Sequence, residues 1–181
     1  MDKFPTIENF LENAFEYEDL NELLRYLKEI GNGCHNKPLN ICGERGCGKT
    51  AFGVLLKNIF DSAVIIDSHR FLSHFNGLWA EKDLVIIDEP KLDDNVVDKI
   101  IKTYYSDNIE VNMKGKLPRL VFNDITFIMF TNIPLLNDNI NLIRMKHPVS
   151  YNKMLTEASA FKEYMPYSWQ TLLIAVSSSS E

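Results

Sequence analysis

The feature that most constrains this chain is the run Gly43-Glu44-Arg45-Gly46-Cys47-Gly48-Lys49-Thr50, which fills the pattern G-x-x-x-x-G-K-[ST] at every fixed position. Glycines let the backbone turn its N–H groups inward around a polyphosphate, and a helix starting at the end of the loop points its positive terminus at the same place. Such a loop needs a strand in front of it and a helix behind it. Residues 39–42 read as a short buried strand, and helical spacing of apolar residues runs from the loop through about residue 60. Lys49 is expected to reach the β- and γ-phosphates and the Thr50 hydroxyl to hold Mg²⁺, which makes ATP and Mg²⁺ the expected cofactors.

The rest of the chain alternates in the same way. Strands are expected at residues 63–67, 84–88 and 125–131, with helices at 71–79 and 95–105. Residues 109–111 and 120–122 flank a turn and predict a hairpin, and a short final strand is expected at 145–149, broken by Pro148. Alternation of this kind implies an α/β fold with a mostly parallel central sheet flanked by helices, the architecture of a P-loop NTPase. Ahead of it, Leu20, Leu23, Leu24, Leu27 and Ile30 form one apolar stripe on a helix that opens at Asp19 with a capping-box Glu22 and stops at Gly31. The stripe reads first as core packing and second as a subunit contact. The expected organisation is a helical segment over 1–36, possible site of oligomerisation, a core over 37–150, and a helical segment with a frayed tail over 151–181, helical at 155–176.

Composition removes several classes. With 181 residues, 45% hydrophobic and 24% charged, the chain fits one domain with a sizeable core. No apolar run approaches the roughly 20 residues needed to cross a bilayer, and the N-terminus lacks the build of a signal peptide. Cys34, Cys42 and Cys47 are an odd number without a paired CxxC, which argues against a disulfide scaffold or a zinc site and for a reducing, intracellular setting. A net charge of −6 argues against coating nucleic acid with the whole surface, but leaves room for a local basic loop.

Further candidates follow from position. Asp88-Glu89 closes a buried strand, where a carboxylate faces the ligand crevice of a parallel sheet. Asp88 is expected to belong to the Mg²⁺ shell and Glu89 to orient or deprotonate the attacking water. Asn132, ending the strand 125–131, has an amide suited to the γ-phosphate or the lytic water. Lys114 and Lys116 occupy the hairpin turn, a basic tip suited to a phosphate backbone, although alone it reads as a solvated turn. Arg144 is a candidate arginine finger reaching a neighbouring subunit's nucleotide, with Arg45, Arg70 and Arg119 in competition and a surface role the default for each.

Together these blocks resemble the superfamily 3 helicases, AAA+ class ATPases of small DNA viruses, and the helicase domain of parvoviral replication proteins in particular. The resemblance covers roughly residues 37–150 and rests on GERGCGKT (43–50), VIIDEP (85–90), IEVNMKGKLPRLVFNDITFIMFTN (109–132) and LIRMKHPV (142–149). It implies that Lys49 and Thr50 are the phosphate-loop residues, Asp88 and Glu89 the metal and water carboxylates, Asn132 the sensor, Lys114 and Lys116 the DNA-contacting tip in a ring channel, and Arg144 the trans-acting finger. Members of that superfamily usually carry a nuclease or origin-binding domain ahead of the ATPase. Only about 36 residues precede the core here, without a His-hydrophobe-His pair, so a separate origin-binding or nuclease partner is expected.

The expected function is an ATP-dependent translocase or helicase in viral or mobile-element DNA replication. It would work as a homo-oligomeric ring, a hexamer by expectation, on single-stranded DNA, with RNA an equal track on sequence grounds. Its setting would be the host nucleus or cytoplasm, with no membrane partner. The alternatives are an ATP-switch loader or packaging accessory, and a small P-loop nucleotide kinase, for which no Arg-rich lid is found.

Overall fold

The computed structural model describes residues 11, 13–89 and 91–146. In chain order it contains α1 (Tyr17–Gly31), β1 (Leu39–Cys42), α2 (Lys49–Ile59), β2 (Ala63–Ile66), α3 (Ser68–Leu72), β3 (Leu84–Asp88), α4 (Asp94–Tyr104), β4 (Asn108–Val111), β5 (Arg119–Phe122), β6 (Thr126–Thr131) and β7 (Asn141–Arg144). Five strands form one sheet in the order β2-β3-β6-β1-β7, every neighbouring pair parallel. β4 and β5 form a separate antiparallel ribbon. The expected α/β architecture is therefore present.

The central strands are buried and mostly apolar because both faces of the sheet are covered. Alternate residues of β3 and β6 point to opposite sides. Leu84, Ile86, Ile128 and Phe130 join one cluster with Leu23, Leu27 and Leu56 of α1 and α2. Val85, Ile87, Phe127 and Met129 join the other with Phe71, Val96 and Ile100 of α3 and α4, and Ile109 and Val111 of the ribbon. Two layers thus sandwich the sheet, and the ribbon sits on the α3–α4 side. The α1 stripe is spent inside the molecule, with Leu23, Tyr26, Leu27 and Ile30 buried.

Several boundaries differ from the sequence expectation. Helix α1 begins at Tyr17, not Asp19, and Glu16 at its N-cap makes no side-chain capping bond, so the Asp19–Glu22 box lies inside the helix. The helix expected over 71–79 is only the short α3. Phe71 and Trp79 are buried but Phe75 between them is exposed, so no stripe exists. Asp67 caps α3 by accepting from the Arg70 amide, and after Ser73 the chain turns back to lay Trp79 beside Phe71. The last described strand, β7, lies earlier than the expected 145–149, of which 147–149 lie outside the described residues. β7 pairs with β1 from Leu39↔Asn141 to Cys42↔Arg144, and just beyond it Met145 donates its amide to Cys42 O at 2.8 Å and forms an isolated bridge to Phe15. The helix expected over 155–176 lies outside the described residues.

Candidate nucleotide site

Every strand of the central sheet ends its carboxyl terminus on one edge, and the candidate residues of the loop, of β3, of β6 and of β7 converge there. The loop 43–48 leaves β1 and enters α2. Its first amide, from Gly43, donates to Thr131 O of β6 at 3.1 Å. A Cβ on Gly43 would lie 2.8 Å from Met145 O and 2.6 Å from Cys47 Sγ, so only glycine fits. Gly48 has φ 101° and caps α2 without any side-chain bond, and no acidic residue lies in the first turn. By contrast, Asp67 and Asp93 cap α3 and α4 with their carboxylates. The N-terminal amides of α2 are therefore left for an anion, as the helix dipole favours.

Lys49 is buried, although it is charged. Its Nζ donates to Gly43 O at 2.6 Å and Glu44 O at 2.9 Å and lies 3.6 Å from Cys47 Sγ, which folds the ammonium into the loop it serves. Glu44, Arg45 and Thr50 are exposed. Thr50 Oγ1 donates to Asp88 Oδ2 at 2.7 Å. β6 stands between β1 and β3, so Asp88 is two strands from β1, yet its carboxylate meets the threonine that opens α2. A hydroxyl and a carboxylate side by side are hard oxygen donors of the kind that would suit Mg²⁺. Among the described residues no group of three or more His, Cys, Asp or Glu could hold a metal alone.

Glu89 follows β3. Its amide donates to Phe130 O at 3.2 Å, and its Oε2 accepts from Ser68 Oγ at 3.4 Å. Asn132 is the exposed residue after β6. Arg144, expected just ahead of a final strand, is instead the final residue of β7, opposite Cys42. It is exposed and makes no ion pair among the described residues. Of its competitors, Arg70 lies 3.9 Å from Asp67 and Arg119 pairs with Glu81, whereas Arg45 is exposed and, like Arg144, makes no ion pair among the described residues. Burial pushes the Cys42 thiol up, only partly opposed by its Thr131 bond and the charges of Lys49 and Arg144.

Lys114 and Lys116 are exposed at the turn of the β4–β5 ribbon, as expected, and are not part of the sheet edge. Two residues had escaped the sequence reading. Asn40, fully buried in β1, donates from Nδ2 to Thr131 Oγ1 at 2.8 Å and Met129 O at 3.3 Å, and its Oδ1 accepts from the Leu135 amide at 3.0 Å. These bonds bracket Asn132. An amide inside an otherwise apolar strand was the signal that could have found it. Asn76, also buried, had no such signal.

Residues 41–144 match the family of unknown function DUF5906. The chain belongs to that family. A search of the curated proteins found no match. Among solved structures, this DUF5906 chain is similar to the apo C-terminal region of NrS-1, with a TM-score of 0.70 and 22% identity over 87% of this chain and 44% of that one. A second form of the same region gives a TM-score of 0.69 at 22% identity, again covering 87% and 44%. JCV helicase matches with a TM-score of 0.59 and 12% identity over 85% of this chain and 48% of that one. The chain thus spans less than half the length of these structures, and shares their α/β fold. No described helix is long and apolar enough to cross a membrane.

Proposed function

We propose that this chain is the motor core of an ATP-dependent nucleic-acid translocase or helicase of the superfamily 3 kind, working as a ring, a hexamer by this reading, on single-stranded DNA. The observation that carries the reading is the Thr50–Asp88 hydrogen bond, which joins the phosphate loop to the acidic strand end. Lys49 holds the β- and γ-phosphates of ATP once it exchanges its loop carbonyls for them. Glu89 orients the water and takes its proton, and Asn132 donates to the γ-phosphate or that water. Thr50 and Asp88 would hold a Mg²⁺ ion, which would supply charge neutralisation for the transferred phosphoryl group. Arg144, unpaired on the edge strand, serves a neighbouring subunit's nucleotide, and Lys114 and Lys116 contact the nucleic-acid backbone.

The test is the ATPase rate per subunit against protein concentration, with and without single-stranded DNA, in low salt. A rate that climbs with concentration and again with DNA is expected. A flat, DNA-blind rate would refute the ring motor and favour the kinase or switch. Lys49→Ala is expected to abolish turnover; retained hydrolysis would sink the phosphate-loop assignment.

A further inference from the structure

The basic ribbon is not a free arm. Asn76 spends its hydrogen-bonding groups on the base of the turn: its amide donates to Asn112 O at 3.1 Å, its Nδ2 to Glu110 O at 2.8 Å, and its Oδ1 accepts from the Asn112 amide at 2.7 Å. Beside it, a Cβ on Gly77 would lie 2.6 Å from Met113 Cγ, so the ribbon presses directly on this backbone. On the returning leg Arg119 pairs with Glu81. Both legs leading to Lys114 and Lys116 are therefore pinned to residues 76–81.

The same segment starts at the nucleotide site. Ser68, eight residues before Asn76, is the hydroxyl donor to Glu89. Between the two ends the segment is anchored to the core at Phe71 and Trp79, while Leu72, His74 and Phe75 are exposed. Phe71 and Trp79 are buried with ring centroids 4.9 Å apart, and both pack on Phe127 of β6. Lys99 of α4 donates to Phe71 O at 2.6 Å with its ammonium over both rings. A shift of either anchor works against these close-packed contacts.

We infer that residues 68–81 form the mechanical link between Glu89 and the Lys114–Lys116 tip, with Asn76 the positioning residue that sets the tip's place. This inference rests on the reading of the chain as a DNA-stimulated ATPase. When Glu89 changes partner during hydrolysis, Ser68 is released or recaptured, and the core-anchored segment carries that change to Asn112. Contact of DNA with the tip returns along the same path, as linkage requires of binding equilibria.

The test compares Asn76→Ala with Lys114→Ala/Lys116→Ala in the full chain, reading basal ATPase, its stimulation by oligo-dT, and oligo-dT binding by fluorescence anisotropy. Asn76→Ala is expected to keep basal turnover and to bind oligo-dT, yet lose stimulation by at least about fivefold, the lower end of ordinary coupling between sites. Wild-type stimulation in Asn76→Ala overturns the link. Wild-type stimulation in the double-lysine variant, or none in the wild type, overturns the functional reading and the link with it. Hydrogen exchange on the wild type needs no variant to fold. Adding the non-hydrolysable analogue AMP-PNP with Mg²⁺ should alter protection at 43–50 and also at 76 and 110–113. Change at the loop alone refutes the link, and change at neither refutes nucleotide binding.

Discussion

Asn40 offers the sharpest test of how the β6 end is held. In Asn40→Ala the Leu135 amide loses its acceptor at 3.0 Å, and Thr131 Oγ1 and Met129 O lose a donor. A partly buried amide left unpaired costs about 1–3 kcal/mol, and each ordinary bond contributes about 1 kcal/mol net. The 3.3 Å bond to Met129 O is long and counts for less. Thr131 Oγ1 keeps its own donation to Ile133 O, so it is not orphaned. The sum is about 3 kcal/mol, which for a chain of this length lowers Tm by about 6–12 °C. Asn40→Asp keeps an acceptor for Leu135 but buries a charge facing Met129 O, so it should fall at least as far. Thermal unfolding followed by circular dichroism at neutral pH checks both. A loss in Asn40→Ala under about 2 °C would refute the claim that this network holds the β6 end.

Other outcomes can be checked as simply. Gly53→Ala gains about 1 kcal/mol of helix propensity but puts a Cβ 2.7 Å from Phe130 Cε2, in a ring that is fully buried against Phe52; the overpacking, about 1–3 kcal/mol, should win and lower Tm, and a rise would show that Phe130 yields. A thiol reagent added to native protein should label exposed Cys34 quickly while Cys42 and Cys47, both buried, react only on unfolding; fast labelling of three thiols contradicts the packing around the loop. Burial holds the Tyr26 phenol well above its usual range, so above about pH 10 the unfolded chain ionises first and stability falls as pH rises; Tyr26→Phe should flatten that fall, and an unchanged slope would refute it.

The conformation of the 43–50 loop was legible because its requirements are local: glycine where the backbone turns left-handed or another chain segment approaches, and a lysine and threonine at the first helical positions. The core strands were legible for a similar reason, since a run such as Leu84–Asp88 that is buried on both faces has no polar alternation to disguise it. The ribbon was also readable from its basic turn. Tertiary structure decided what depends on partners distant in the chain. Pairing with β1, not local pattern, set β7 at Asn141–Arg144 and so moved Arg144 onto the sheet edge beside the loop. Packing of Trp79 against Phe71 cut the expected helix to α3. Thr50 meets Asp88 across 38 residues, Asn40 meets Leu135 across 95, and Asn76 meets Asn112 across 36. Hydrogen bonds of that span leave no periodicity in the chain, because the fold alone brings their two ends together.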